Sequence, residues 1–233
     1  MARVPTVTPS SAAADGVSRE TFMSEIDSVE QEPSEAEALF GSRVDLARRF
    51  TKSLAEHGEK RGLIGPLERP RLWSRHVLNS AVIAPLFSGR VGDVGSGAGL
   101  PGLVLAIARP DVEWVLIEPM ERRVAWLLEQ SRDLGLDNVE IVRGRAEDWT
   151  GGPVLDAVTA RAVSALRTLI PLTAPLVRDG GELVLLKGAS ASQEIEAARK
   201  QIRGHRLSDV RVEVVGEGTI AEPTRVIRAR VRG

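Results

Sequence analysis

The sequence predicts an α/β fold: a mostly parallel seven-stranded sheet with an antiparallel edge strand and a small N-terminal helical extension. Three observations carry this reading. After Gly89, short β-rich runs alternate with helical stretches, a rhythm that implies a parallel sheet with helices on both faces. The first of these runs ends in a glycine series where a helix begins, the arrangement that seats a ligand at the carboxyl edge of such a sheet. The last two runs have no helix between them, so they pair antiparallel at the edge.

Taken in order, residues 1–38 are rich in Ser, Ala, Glu and Pro and poor in bulky apolar side chains. They cannot bury enough surface to offset the entropy of ordering, so a disordered acidic tail is expected. Residues 39–88 read as the helical extension. Between 38 and 59, Leu39, Phe40, Leu46, Phe50 and Leu54 share one broad helical face. The loop GLIGPLERP follows, and Pro70 can open a second helix through RLWSRHVLNSAVIAPLF, because a first-turn position needs no N–H. Residues 89–233 form the alternating domain. Its strands are VGDVG, EWVLIE, VEIVRG, LDAVTAR, GELVLLKG, DVRVEVVG and RVIRARV. Helices are expected over 100–108, 122–134, 166–177 and 193–203.

Composition sets outer limits. The chain has 233 residues and is 42% apolar, enough for one α/β domain with a sizeable core and a small extension. Its net charge of −1 is unevenly spread: residues 1–38 carry −6 and the remainder +5. A mildly basic body fits contact with a polyanion or an ordinary solvated surface equally well. There is no cysteine, which excludes disulfides, thiolate zinc sites and cysteine nucleophiles. The three histidines, His57, His76 and His205, are too scattered to suggest a metal cluster. The N-terminus lacks an apolar signal region, and runs such as LVLAIA are too short to span a bilayer. A soluble cytoplasmic protein is expected.

The strongest local signal is Asp93-Val94-Gly95-Ser96-Gly97-Ala98-Gly99-Leu100-Pro101-Gly102. Glycines at a strand-to-helix turn permit a tight bend and close approach of a ligand to the backbone. Gly97, Gly99 and Gly102 also satisfy the dinucleotide pattern G-x-G-x-x-G. Two details favour S-adenosyl-L-methionine over a dinucleotide. Asp93, inside the strand end, is suited to a methionyl ammonium and poorly suited to a pyrophosphate. Gly95 follows the strand directly and starts a G-x-G spacing of its own.

The next strand ends in Glu118, where a carboxylate can take both ribose hydroxyls or simply cap the helix that follows. After the third strand, Arg145-Ala146-Glu147-Asp148 is either a loop that reads an adenine or an acidic helix-starting turn. The fourth strand ends in Thr159-Ala160-Arg161-Ala162, without the Asn/Asp-Pro-Pro-aromatic element that holds an exocyclic amine, and the chain has no tyrosine. Amino methylation of adenine or cytosine is therefore not expected. Arg161 either meets cofactor or target, or pairs with Asp156 or Glu147.

The segments VGDVGSGAGLPGLVLA, LIEPMERR, RAED, TARAV and LLKG occur in this order, preceded by Arg75-His76-Val77-Leu78-Asn79-Ser80. Over residues 39–233 the sequence resembles the bacterial 16S ribosomal RNA guanine-N7 methyltransferases, the RsmG or glucose-inhibited division protein B family. The resemblance implies a Rossmann-like class I methyltransferase fold, S-adenosyl-L-methionine as cofactor, and 16S rRNA or the small ribosomal subunit as partner. It implies transfer to the guanine conventionally numbered 527. It also implies Gly95 and Leu100, Ala146 and Glu147, and Arg161 as cofactor contacts, beside Asp93, Gly97 and Glu118 read from the residues themselves. The family's Arg-His-x-x-Asp-Ser element has Asn79 here in place of Asp, so a role for charge at that position does not carry over. Guanine N7 has a free lone pair and no proton, so no general base is called for and no catalytic residue is singled out.

Candidate contacts for the target are Arg161, Lys187 and Arg75. A wider phosphate-binding rim would add His76, Arg122, Arg123, Arg225, Arg228, Arg230 and Arg232. The last three alternate with Ile227, Ala229 and Val231, so they share one face of a strand, as an RNA path or as a solvated edge that resists aggregation. A monomer is expected. The alternatives are a small-molecule methyltransferase, with an apolar lid and no basic rim, and a non-catalytic adenosylmethionine- or RNA-binding factor.

Overall fold

The computed structural model describes residues 29–150, 154–161 and 163–232. Most of the expected tail, residues 1–28, lies outside them. The strands are β1 (Arg90–Val94), β2 (Glu113–Glu118), β3 (Val139–Arg143), β4 (Leu155–Arg161), β5 (Val177–Lys187), β6 (Leu207–Val215) and β7 (Thr224–Val231). They form one seven-stranded sheet in the order β3-β2-β1-β4-β5-β7-β6. β1 to β5 run parallel, and β7 is antiparallel to both its neighbours. The reversed strand thus lies one place in from the edge, and β6 is the edge strand.

Alternation along the strands fills two cores. On β2, Trp114 and Leu116 join one apolar cluster while Val115 and Ile117 join the other, as the two-residue period of a strand requires. The first cluster lies under α3 (Gly102–Ala108) and α4 (Glu121–Leu134), and the second under α5 (Leu166–Thr173). α6 (Ala191–Ala197) and α7 (Arg199–Gly204) complete the second face. Every residue from Gly102 to Ile107 is buried, which explains why this stretch is apolar without periodicity. α4 stops at Gly135, in the left-handed conformation at φ 64°, ψ 43°.

The N-terminal segment is built into the first core. α1 (Glu35–Phe40) and α2 (Val44–His57) place Phe40, Phe50 and Leu54 in the same cluster as Leu103, Trp114 and Trp126. The second expected helix takes an unusual form. A 3₁₀ turn at Arg69–Arg71, containing Pro70, leads into a π-helical stretch over Leu72–Leu78 and a short α-helical turn at Asn79–Ala81. π-Helical turns are rare and concentrate at functional sites; this one carries Arg75 and His76.

Residues 29–38 correct the expected tail. Glu30 donates its N–H to Arg69 O at 3.1 Å, and its Oε2 accepts from Ser74 N–H at 2.9 Å. Arg48 holds Glu32 at 2.6 Å. Ala36 lies four residues before Phe40, so the two make one apolar helical stripe, and a single alanine does not stand out when residues 1–38 are read by composition. Among the described residues, no helix is long and apolar enough to cross a membrane.

If α1 is part of the core, Phe40→Ala should lower the unfolding free energy by about 3–5 kcal/mol, the range for emptying a buried aromatic site. Urea denaturation of the two proteins checks this, and a loss under about 1 kcal/mol would show that α1 is only loosely attached.

Candidate functional site

β1 has β2 on one side and β4 on the other, so the strand order reverses beside its carboxyl end. Open parallel sheets bind ligands at such a point, because the following loops diverge to opposite faces and leave a crevice. The glycine series of Gly95 to Gly102 occupies that crevice. A cavity of about 520 Å³ opens over it, walled by Gly95, Gly97, Leu100, Glu118, His76 and Arg161 together with neighbouring residues.

Two carboxylates hold the loop from below. Glu118, 1% exposed at the tip of β2, accepts from Gly97 N–H and Met120 N–H, each at 2.9 Å. Met120 is the residue just before α4, so Glu118 fixes the chain's entry into that helix without capping its first turn, and it also faces the cavity. Each carboxylate oxygen has a second lone pair left for a ligand. Asp93 lies beneath the loop and takes no part in the cavity wall. Its Oδ2 accepts from Gly102 N–H at 3.0 Å, and its Oδ1 is buried without a partner. Burial pushes the Asp93 carboxyl up to about 7, against the hydrogen bond from Gly102.

The glycines have two separate reasons. At Gly97 the backbone sits at φ 54°, and an added Cβ would meet nothing closer than 3.7 Å, so conformation is what selects glycine. At Gly102 an added Cβ would stand 2.3 Å from Leu116 Cδ2 and 2.5 Å from Asp93 Oδ2, so space is what selects it.

Ala146 and Glu147 form a 3₁₀ turn with Asp148 after β3, and neither lines the cavity. Ala146 is buried in the second core, while Glu147 is exposed. The loop is joined to the site through its start, where Gly144 N–H donates to Glu118 O at 3.2 Å.

Arg161, at the end of β4, does not pair with Asp156 or Glu147. Asp156 is engaged by Arg178 Nε at 2.6 Å and Arg90 N–H at 2.7 Å. Arg161 reaches the π-helical segment instead. Nη1 donates to His76 O at 3.2 Å and Ser80 Oγ at 3.3 Å; Nη2 donates to Arg75 O at 3.1 Å and His76 Nδ1 at 2.5 Å. A guanidinium can only donate, so His76 Nδ1 is the acceptor and the ring proton sits on Nε2. Nε2 then donates to Glu68 Oε2 at 2.5 Å, and Arg71 Nη2 donates to Glu68 Oε1 at 2.8 Å. Burial, then the Arg161 charge, pushes His76 down to about 4. Burial and the repulsion of Arg75 lower Arg161 to about 10, still charged at neutral pH. Glu68 lies in a loop eight residues before His76, and nothing in the local sequence marks it as a partner.

A second cavity, of about 790 Å³, adjoins the first and shares Arg161 and Val163 with it. Arg75, Asn79, Lys187 and Arg225 stand in its wall. Lys187 is 8% exposed and already committed to Ser164 O at 2.6 Å and Glu194 Oε2 at 2.9 Å. The amide of Asn79 shows why Asn serves here: Nδ2 donates to Ser74 O at 2.8 Å and Glu222 O at 2.9 Å, while Oδ1 accepts from Thr224 Oγ1 at 2.9 Å. An ionised Asp could keep only the last of these.

The arginines at the end of the chain are placed differently from an RNA rim. Arg228 holds Glu182 at 2.5 Å and Glu213 at 3.2 Å, Arg230 holds Glu182 at 3.3 Å, and Arg232 donates to Ser208 Oγ at 2.8 Å. β7 runs antiparallel to β5, with Arg225 opposite Lys187 and Arg230 opposite Glu182. Only the start of β7 is at the cavity end of the sheet. The charges were visible in the sequence; their carboxylate partners come from other strands and were not.

The buried neutral state of His76 gives a pH prediction. The unfolded chain takes up this proton near the ordinary value of 6.5, the folded one only near 4. Stability linked to His76 is therefore full above about pH 6.5 and lost as pH falls to about 4. His76→Gln removes that link. Across this window the wild type should lose on the order of 2–3 kcal/mol more than the variant, read from urea midpoints. Parallel pH profiles would mean that His76 is not held neutral.

The sequence model of the GidB family, described as rRNA small subunit methyltransferase G, matches residues 43–223. The chain is 67% identical over 207 residues to the ribosomal RNA small subunit methyltransferase G of Leifsonia xyli subsp. xyli, covering 88% of this chain and 99% of that protein. To the protein of the same name from Clavibacter sepedonicus it is 64% identical over 210 residues, covering 90% and 100%. Among solved structures, M. jannaschii TYW2 in complex with AdoMet superposes with a TM-score of 0.53 at 18% identity, over 69% of this chain and 77% of that one. That likeness speaks for the fold alone. The sequence matches go further, and on them this chain belongs to the rRNA small subunit methyltransferase G family.

Proposed function

We propose that this chain methylates N7 of a guanine in 16S ribosomal RNA from S-adenosyl-L-methionine, at the base conventionally numbered 527 in the family it resembles. The observation that carries the reading is the pair of adjoining cavities at the switch point of the sheet, with Arg161 and Val163 in both walls. The smaller one has the size of a small-molecule site. Its residues suit the cofactor: Gly95, Gly97 and Leu100 offer close backbone approach, and Glu118 retains lone pairs for ribose hydroxyls. Asp93, enclosed beneath the loop and outside the cavity wall, would act by holding Gly102 N–H and so the shape of the loop. Arg161 would contribute from the opposite wall, while Ala146 and Glu147 stay in the proposal only as the family resemblance implies them, since neither lines the cavity.

S-Adenosyl-L-methionine supplies a methyl group on a sulfonium, which guanine N7 can accept with its own lone pair without losing a proton. The protein is therefore asked to position and desolvate. Arg161 keeps its charge with both η nitrogens fixed by the π-helical segment, so it is rigid where the two cavities meet. A small-molecule methyltransferase fits less well, because Arg75, Arg161, Lys187 and Arg225 stand where an apolar lid would be expected. The proposal takes the protein to act as a monomer on ribosomal RNA in the cytoplasm.

The deciding experiment incubates the protein with labelled S-adenosyl-L-methionine and either small subunits or naked 16S rRNA, then maps the modified nucleotide. Label at guanine N7 is expected; label elsewhere, or none, rejects the reading. For the cofactor site, Glu118→Ala should weaken S-adenosyl-L-methionine binding by about 1–3 kcal/mol in calorimetry, the range for leaving buried polar groups unmatched. Gly97→Val should abolish binding, since a β-branched residue resists positive φ. Wild-type affinity in both variants would remove this loop from the cofactor site.

A further inference from the structure

We propose that the larger cavity seats the target guanosine of the RNA, with Arg75 and Arg225 holding the phosphates on either side of it. This assignment rests on the methyltransferase reading and adds the residues that take the substrate. Chemistry on a base requires a pocket that the base can enter away from its stacked neighbours. The cavity of about 790 Å³ borders the cofactor cavity at Arg161 and Val163, which is the position such a pocket must have.

The cations around it divide into two groups. Arg161 is committed to the π-helical segment, and Lys187 to Glu194 and Ser164. Arg75 and Arg225 are exposed, and among the described residues no carboxylate lies within ion-pair reach of either. A free guanidinium at a cavity mouth is available to a phosphate; one already neutralised is not. The same test removes Arg228 and Arg230, which share Glu182. Register removes them again, since Arg230 lies five residues along β7 from Arg225, about 17 Å at strand spacing, toward the opposite end of the sheet.

Asn79 fixes the two free arginines relative to each other. Arg75 is four residues before it on the π-helical segment, and Arg225 follows Thr224. The Asn79 amide donates to Glu222 O at 2.9 Å and accepts from Thr224 Oγ1 at 2.9 Å. The two walls are thereby fastened together with one arginine on each, as a nucleotide held by its flanking phosphates requires.

The test measures binding of 16S rRNA at several salt concentrations for wild type, Arg75→Ala, Arg225→Ala and the double variant, with Arg230→Ala and Arg232→Ala as comparators. Each cavity arginine should shrink the slope of log affinity against log salt by roughly 0.7–0.9, and the double variant by about twice that. Affinity for S-adenosyl-L-methionine should stay at the wild-type value, which also certifies the fold. The two comparators should keep the wild-type slope. An unchanged slope in the double variant, with wild-type methylation intact, overturns this assignment alone. A wild-type protein that leaves RNA unmethylated overturns the reading beneath it, and the assignment with it.

Discussion

A guanidinium taken out of water must have its N–H groups met by acceptors, and the acceptors then have no freedom to be elsewhere. Arg161 imposes that constraint here. It leaves the end of β4 and finds the carbonyls of Arg75 and His76, the hydroxyl of Ser80 and the ring of His76. A regular α-helix turns its carbonyls into its own ladder; the wide π turn is compatible with presenting two successive ones to an outside donor. His76 in turn needs Glu68, and Glu68 needs Arg71, so the loop before the helix is fixed as well. Arg161 joins the helical extension to β4 at the site, beside the bond of Asn79 to the start of β7, and the wall between the two cavities is made of the Arg161 joint.

The glycine loop shows the complementary case, in which negative groups order a backbone. Glu118 and Asp93 come from adjacent strands and each accepts a loop amide, at Gly97 and Gly102. The loop therefore has its shape set from the sheet side, and its other side is left for a ligand. The two carboxylates differ in surroundings: Glu118 lines the cavity, whereas Asp93 is enclosed and its carboxyl is pushed up by burial. Such a site is preorganised, because the loop's polar groups are directed before anything binds.

Much of this was legible in the chain. β2 and β4 begin and end where EWVLIE and LDAVTAR suggest, because short buried strands between turn residues carry a strong local signal. Gly97 and Glu118, read in the sequence as ligand contacts, line the cavity, whereas Asp93, read the same way, lies beneath the loop and outside the cavity wall. The extent of the ordered N-terminus was not legible, since Ala36 gains its meaning from a core assembled elsewhere. The partners of Lys187, Arg228 and Arg230 were equally hidden. A cation free for RNA and a cation bound to a glutamate on another strand look the same in one dimension. Ala146 and Glu147 show a related limit: residues next to one another in sequence part company in space, one into the core and one toward solvent.

β7 follows β6 in the chain but lies inside it in the sheet, between β5 and β6. A ribosome delivers the strands in chain order. β5 therefore emerges with its outer edge open, and β6 emerges before β7, the strand it pairs with among the described residues, has been made. Both edges close in a single event when Thr224–Val231 slots between them. Until then the nascent chain displays unpaired β edges of the kind that recruit other chains. β6, bulged between Ser208 and Arg211 and carrying Asp209, Arg211 and Glu213 among its valines, is a poor template for such pairing while it waits.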